Sequence, residues 1–260
     1  MAKLPQSWSL NTAYIGRHVL QFEQLESTNT TALELAAGHP DGLAVIANVQ
    51  TAGRGQYGRV WQAQAGSSLL MSVTLRLPLP LGRPVVLTAL AGVAVGDAIF
   101  QLIGVQSRIK WPNDLLLQGK KVCGILIERH GEIAIIGIGL NLSQTHQDFM
   151  FAGLPQATSL GIVASQVIDI PQAANTVLHC LDREYVRLLQ GEHVAIEADW
   201  KWRLGLLGRR VLAELTDGQN VEGRLIDLSF DRVDLETSIG ITRRLIPECV
   251  RHLRRLSDSL

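Results

Sequence analysis

Lys110-Trp111-Pro112-Asn113-Asp114, continuing through Leu115-Leu116-Leu117 and Gln118-Gly119 into Lys120-Lys121-Val122-Cys123-Gly124-Ile125-Leu126-Ile127-Glu128, alternates turn chemistry with short apolar runs. Pro-Asn-Asp and Gln-Gly are turn sequences, and the runs between them are β-favouring, which predicts strands joined by tight connections. Two strands in a hairpin bring the Asn113/Asp114 turn and Lys121 within side-chain reach. A carboxylate and an amide then face a lysine at a sheet edge, an arrangement suited to acyl-phosphate chemistry. Taken alone, these residues are explained at least as well by turn chemistry and a surface lysine.

Outward from this stretch, residues 108–110 and 133–140 extend the meander, with His130-Gly131 as a further turn. Residues 84–103 carry Ala, Val and Leu on all sides, with Pro84 where a first helical turn tolerates it, which predicts a buried helix. Residues 43–49 (LAVIANV) and 68–76 (SLLMSVTLR) read as strands separated by a glycine-rich polar loop. A loop of that length inside a compact domain is usually functional. After a Gly/Pro/Ser-bearing connection over 151–165, residues 171–190 place Ala174, Val177, Leu178, Leu181, Tyr185, Leu188 and Leu189 at helical spacing. From Arg209 onward the texture changes to brief alternating strands, a small all-β appendage of roughly fifty residues that needs to dock on the main domain for stability. The expected class is α+β, a mixed or antiparallel sheet with helices over residues 1–205 followed by an all-β unit over 206–260.

Composition narrows the function. The 260 residues hold 24 Lys+Arg and 24 Asp+Glu, a formal net charge of zero, which excludes a generic polyanion binder. Hydrophobic residues make up 47% and charged residues 18%, with mean hydropathy +0.16, enough apolar material for one large core and one small one. No apolar run approaches the roughly 18 residues of a membrane span, and no apolar leader follows the first lysine, so a cytoplasmic protein without membrane contact is expected. Cys123, Cys180 and Cys249 are isolated, which predicts a reducing compartment and no bound metal. Charge is nonetheless uneven: Arg54, Arg59, Arg76, Arg83, Arg108, Lys110, Lys120 and Lys121 face only Asp97 and Asp114 between residues 53 and 121. An anion is expected there, with Arg76, Arg83 and Arg108 read as ordinary solvated charges.

Gly53-Arg54-Gly55-Gln56-Tyr57-Gly58 is a literal G-x-G-x-x-G, but its context does not fit a dinucleotide fold. No apolar-periodic helix follows it, and position 76, where a ribose-binding acid belongs, is Arg. No Gly-Lys-Ser/Thr ends the run, so it is not a Walker A loop either. What remains is a flexible loop with two guanidinium groups that can clamp phosphate or carboxylate and an indole, Trp61, that can stack on a base or pack in the core. Nothing apolar anchors the loop, which is expected to stay mobile until a ligand orders it.

Ser27-Thr28-Asn29, Gln50-Thr51-Ala52-Gly53-Arg54-Gly55, Lys110-Trp111-Pro112-Asn113-Asp114, Gly119-Lys120-Lys121 with Gly124-Ile125-Leu126-Ile127-Glu128, and Gly137-Ile138-Gly139-Leu140-Asn141 follow one another in the order found in biotin protein ligases. From Ser27 to Asn141 the sequence closely resembles that family. The resemblance implies a class II synthetase-like catalytic domain followed by a small SH3-like β-barrel. It also implies the reaction: biotin's carboxylate attacks the α-phosphate of ATP, which comes with Mg2+, and a lysine of a biotin carboxyl carrier protein then displaces AMP from biotinyl-5′-AMP. Lys121 matches the family lysine that contacts the carboxylate and α-phosphate, and Arg54 and Arg59 match the loop clamp. Ser27, Thr28, Asn29 and Gln50, with Gly55, Gln56 and Gly124, correspond to the biotin side; Trp61, Lys110, Asn113 and Asn141 correspond to the nucleotide side. Asp114 is placed to orient Lys121 or to accept the incoming lysine's proton. One position departs from the pattern: Gln56 stands where the family loop usually carries a basic residue.

Three rivals share parts of this pattern. A lipoate-type ligase uses the same chemistry, though the Gly-Arg-Gly loop and the Trp-Pro-Asn-Asp turn favour biotin. A repressor form of the family carries an N-terminal winged helix; only 26 residues precede Ser27 here, so no DNA binding is expected. A non-catalytic biotin binder would not need Lys121 and Asp114. Homodimers are common in the resembled family, and an exposed sheet edge would permit one.

Overall fold

Gln118 and Gly119 both adopt positive φ, 51° and 78°, and Leu117 pairs with Lys120 across them, which is the two-residue hairpin that the Gln-Gly sequence predicts. The structure, a computed structural model, describes residues 4–256. Its elements are β1 (Gln6–Trp8), β2 (Val19–Leu25), α1 (Thr28–Ala36), β3 (Ala44–Gln50), β4 (Ser68–Arg76), α2 (Pro84–Ile103), β5 (Arg108–Lys110), β6 (Asp114–Leu117), β7 (Lys120–His130) and β8 (Ile133–Asn141). They continue as α3 (His146–Phe151), α4 (Leu160–Ala164), α5 (Ile170–Leu189), α6 (His193–Leu204), β9 (Arg210–Leu215), β10 (Asn220–Leu228), β11 (Val233–Glu236), β12 (Thr242–Leu245) and β13 (Val250–Arg255).

Eight strands form one sheet in the order β1-β2-β3-β4-β8-β7-β6-β5. Every neighbouring pair is antiparallel except β2 and β3, whose parallel pairing uses α1 in its crossover. Side chains alternate across the pleat: Ala44 and Ile46 enter the main core, while Leu43 and Val45 pack with Ala32 of α1 on the opposite face. The main-core face is covered by α2, which packs against α5, α6 and β7.

Helix α2 requires one correction. It is long and apolar enough to cross a membrane by length and composition, contrary to the expectation that no run approaches that size, but 67% of its most apolar window is buried inside the protein. It also carries Asp97, paired with Arg183 of α5 and Arg203 of α6, as suits a core helix at a helix junction rather than a lipid-facing span.

The last five strands form a separate antiparallel sheet in the order β12-β11-β10-β9-β13, matching the expected appendage. Arg83 ties the two sheets together, bonding Asp231, Glu248 and the Phe230 carbonyl. Trp111 Nε1 donates to the Val250 carbonyl at 2.8 Å, and the Trp200 ring lies between those of Trp111 and Phe230, with centroids at 5.6 and 5.9 Å. Arg83 is therefore no free surface charge. Arg76 likewise donates to the Ala36 and His39 carbonyls, and Arg108 donates to the Trp202 carbonyl and lies over its ring. Each guanidinium offers a planar set of donors that satisfies carbonyls left open at element ends, and an exposed lysine would not do so as well.

Several elements lie outside the sequence expectations: β1, β2, α1, α6 and β13, and the short α3 and α4 in and beside the connection over 151–165. Helix α1 (TNTTALELA) opens on four polar residues, and α3 and α4 are too short for periodicity to register.

Candidate active site

On the α1 face of the sheet, β4, β8 and β7 present Ser72, Gly137, Gly139, Gly124 and Glu128. The register pairs Ser72 with Gly137 and Gly139 with Gly124, so these positions share that face. The glycines make a bare floor. A Cβ on Gly139 would lie 2.4 Å from the Trp61 indole, and one on Gly137 would lie 2.4 Å from Asn29 Oδ1. The Gly-Ile-Gly sequence is thus required by close approach across a strand, not by a turn.

The helix entry supplies a polar corner. Ser27, Thr28 and Asn29 are buried, and Gln50 Oε1 accepts from Thr28 N at 2.7 Å and from Thr28 Oγ1 at 3.0 Å. Ser72 Oγ lies 2.7 Å from Thr28 Oγ1 and 2.6 Å from Asn29 Oδ1. Asn29 Nδ2 donates to Glu128 Oε2 at 2.8 Å, and Arg54 closes the chain on the same carboxylate. Partial burial pushes Glu128 up, but the hydrogen bonds from Arg54 and Asn29 outweigh it and hold the carboxyl below its ordinary value.

A neighbouring part of the same cavity carries the lysine. Lys121 Nζ is 2.6 Å from Asp114 Oδ1 and 5.4 Å from the Trp61 ring centroid. Its backbone is fixed by the 156–158 segment, with Lys121 N donating to the Gln156 carbonyl and Thr158 N to the Lys121 carbonyl, each at 2.8 Å. Cys123, two residues on, is no rival nucleophile, because burial drives its thiol far above neutral pH. Trp61 Nε1 is buried without a protein partner.

Residues 53–59 arch over this floor. The loop is closed by hydrogen bonds from Gly55 N to the Arg59 carbonyl and from Trp61 N to the Gly53 carbonyl. Beneath it lies a cavity of about 310 Å³, within the usual range for small-molecule sites. Ser27, Thr28, Asn29, Gln50, Arg54, Gly55, Gln56, Arg59, Trp61, Lys110, Asn113, Asp114, Lys121, Gly124 and Asn141 all line it.

Residues 21–142 match the biotin/lipoate A/B protein ligase family. The bifunctional ligase/repressor BirA of Bacillus subtilis is 37% identical over 244 residues, covering 91% of this chain and 74% of that protein. The chain belongs to the biotin protein ligase family. Biotin–acetyl-CoA-carboxylase ligase of Mycobacterium tuberculosis is 35% identical over 211 residues, covering 79% of this chain and 77% of that one. Among solved structures, biotin protein ligase from Aquifex aeolicus in complex with biotin and ATP superposes with a TM-score of 0.74 at 25% identity, covering 92% of this chain and 99% of that chain.

Within this biotin protein ligase fold the sequence-derived residues gather in one cavity, but not all are equally available. Asn113 Nδ2 donates to the Ile125 carbonyl at 2.6 Å, and Asn141 Nδ2 to the Thr158 carbonyl at 3.0 Å, so both amides hold the walls together. Arg59 and Lys110 form no ion pair among the described residues and remain available to an anion. Ser72, Glu128 and His252 escaped the sequence reading as site residues. Glu128 could have been found, since it stands four residues beyond Gly124 on one strand and so shares its face. Ser72 and His252 carried no local signal; His252 reaches the cavity from the second sheet.

Proposed function

We propose that this chain condenses biotin with ATP and transfers the biotinyl group to a lysine of a biotin carboxyl carrier protein. In the first step a biotin carboxylate oxygen bonds to the α-phosphorus of ATP and the bond to the β-phosphate bridging oxygen breaks, giving biotinyl-5′-AMP and pyrophosphate. In the second, a lysine amine attacks the acyl carbon, AMP leaves, and the amine gives up a proton. The Lys121–Asp114 contact at 2.6 Å beside the buried Thr28–Ser72–Asn29 corner carries this reading. A polar corner that fixes an uncharged ring system stands next to a cation held where a carboxylate and a phosphate must meet.

Lys121 stabilises charge developing on the α-phosphate, and Asp114 orients it and stands near enough to take the incoming proton. Thr28, Asn29, Gln50 and Ser27 select the biotin ring polar groups, since buried hydrogen-bonding groups reject a ligand that leaves them unpaired. Trp61 offers a face to adenine, and Arg54 and Arg59 close on the phosphates and exclude water from the anhydride. Mg2+ belongs to the nucleotide substrate. The described acids nearest the cavity, Asp114 and Glu128, are already engaged by Lys121 and by Arg54 and Asn29, so the phosphates hold the ion.

The same reading divides the chain into a class II synthetase-like unit over 1–205 and an SH3-like barrel over 206–260. It sets the protein in the cytoplasm, where the free Cys123, Cys180 and Cys249 stay reduced, assigns no DNA ligand to a charge-neutral chain, and leaves β1 and β5 as open edges through which a homodimer can form. Pyrophosphate exchange into ATP tests the central claim, with biotin, lipoate and octanoate compared side by side. Exchange with biotin alone is expected; exchange with lipoate and none with biotin refutes it.

A further inference from the structure

Tyr57 sits at the tip of the glycine loop with φ at +57°, a left-handed conformation that a bulky aromatic residue seldom adopts. Such a backbone persists only when its surroundings hold it. The loop's own hydrogen bonds join Gly55, Gln56 and Arg59 and leave the Tyr57 side chain outside them. What meets Tyr57 comes from the other sheet. The Arg251 guanidinium lies over its ring at 4.6 Å from the centroid.

Arg251 is itself irregular. Val250 pairs with Leu215 and His252 with Glu214, so Arg251 is the extra residue of a bulge in β13. Bulges re-aim a side chain away from the regular pleat. The three residues here reach the catalytic sheet in succession: the Val250 carbonyl accepts from Trp111 Nε1, Arg251 covers Tyr57, and His252 lines the cavity. Two backbone departures, one in the glycine loop and one in the C-terminal sheet, therefore meet in a single contact.

We propose that Arg251 is a positioning residue that clamps the glycine loop through Tyr57, so that the C-terminal sheet sets how firmly the loop covers the reacting groups. This chain lacks a basic residue at Gln56, and the clamp compensates from outside the loop: it holds Arg54 and Arg59 near the cavity by fixing the tip between them. The loop that the sequence leaves without an anchor has one, supplied by a residue almost two hundred positions away. The contact is partly solvent-exposed, with Tyr57 at 54%, which sets its strength at that of an exposed cation–π pair.

The clamp rests on the ligase reading for its catalytic consequence but not for its existence, and two measurements separate them. The first uses the free protein, without ligand. Hydrogen exchange of amides 53–61 is expected to quicken about two- to fivefold in Arg251→Ala, the scale of an exposed cation–π contact. Tyr57→Phe keeps the ring face and is expected to retain the wild-type exchange rate, Arg251→Lys to recover part of the protection, and Tyr57→Leu to quicken exchange as Arg251→Ala does. Combining Arg251→Ala with Tyr57→Leu should add nothing further, a non-additivity that a merely structural role of either residue would not give. The second follows release of preformed biotinyl-5′-AMP, expected to accelerate by the same factor in Arg251→Ala while the KM for biotin, set at the Thr28–Ser72 corner, stays put. Wild-type exchange in Arg251→Ala, or additive effects in the double variant, overturns the clamp. If the exchange results hold and no adenylate forms in the wild type, the ligase reading fails and the clamp stands.

Discussion

Arg54 and Glu128 form a forked ion pair, with NH2 3.1 Å from Oε2 and Nε 3.3 Å from Oε1, so the first cation of the glycine loop rests on the floor strand. Asn29 holds the other side of that carboxylate, which links the loop to the helix entry. The carboxyl titrates below its ordinary value, so its contribution to stability is complete above the ordinary glutamate pKa and is lost as pH falls through the lowered one. Glu128→Gln is expected to cost less than about 1 kcal/mol at pH 7, the scale of a half-exposed pair. Denaturant unfolding over a descending pH series from pH 7 checks this: the difference between the two proteins should shrink as the pH falls through the acid range, and an undiminished difference would show that charge is not the cause.

Lys121→Ala is expected to lower the rate of biotinyl-5′-AMP formation by roughly 10²-fold or more, the usual cost of removing one group that stabilises developing charge. The side chain is 37% exposed and its backbone is held by the 156–158 segment, so the fold should survive. Single-turnover adenylation together with a thermal melt reads both; a near wild-type rate would reduce Lys121 to a surface residue.

Ser72→Ala removes a buried hydroxyl that lies between Thr28 Oγ1 and Asn29 Oδ1. Leaving a buried acceptor without its donor costs about 1–3 kcal/mol of stability, and the loosened Thr28–Asn29 corner is expected to bind biotin more weakly. Calorimetric titration measures it. Unchanged affinity would mean that the corner is only structural.

Gly139→Ala places a methyl group 2.4 Å from the Trp61 indole and must displace the ring. Overpacking of this kind costs about 1–3 kcal/mol. Loss of adenylation with an altered tryptophan emission spectrum is the expected outcome; unaltered activity would separate Trp61 from the nucleotide.

Gln56→Arg restores the basic residue usual in the family loop. A hydrogen bond to a charged group contributes about 1.5–3 kcal/mol against about 1 for a neutral pair, so release of preformed biotinyl-5′-AMP should slow by about two- to thirtyfold and bystander lysine labelling should fall. A stopped-flow chase decides it, and equal release rates would show that Arg251 or another cation already compensates fully.

The strands at 68–76, 108–110 and 133–140, the helix at 84–103 and the Gln118-Gly119 turn were legible because each is specified by its own residues: periodicity, β-branching, or a backbone conformation that few residues accept. The motif residues were legible for a related reason, since glycine floors, guanidinium clamps and a lysine beside a carboxylate each need a particular residue type. Glu128 was half-legible, its face fixed by strand alternation but its partners unstated.

By itself the sequence determined an α+β chain with an all-β appendage, a set of chemistry-bearing residues in order, and the local turns that present them. Only the tertiary structure decided that Ser72 backs the Thr28–Asn29 corner, that Arg54 rests on Glu128 in the free protein, that Arg83 ties the two sheets while the exposed Arg76 and Arg108 also bond backbone carbonyls, and that the second sheet brings Arg251 to the Tyr57 ring and His252 to the cavity. The reason is separation along the chain. Turns and strand faces are set by neighbours a few residues apart, whereas Arg251 and Tyr57 meet only because Arg83, Trp111 and Trp200 fix how one sheet docks on the other, and no local pattern carries that geometry.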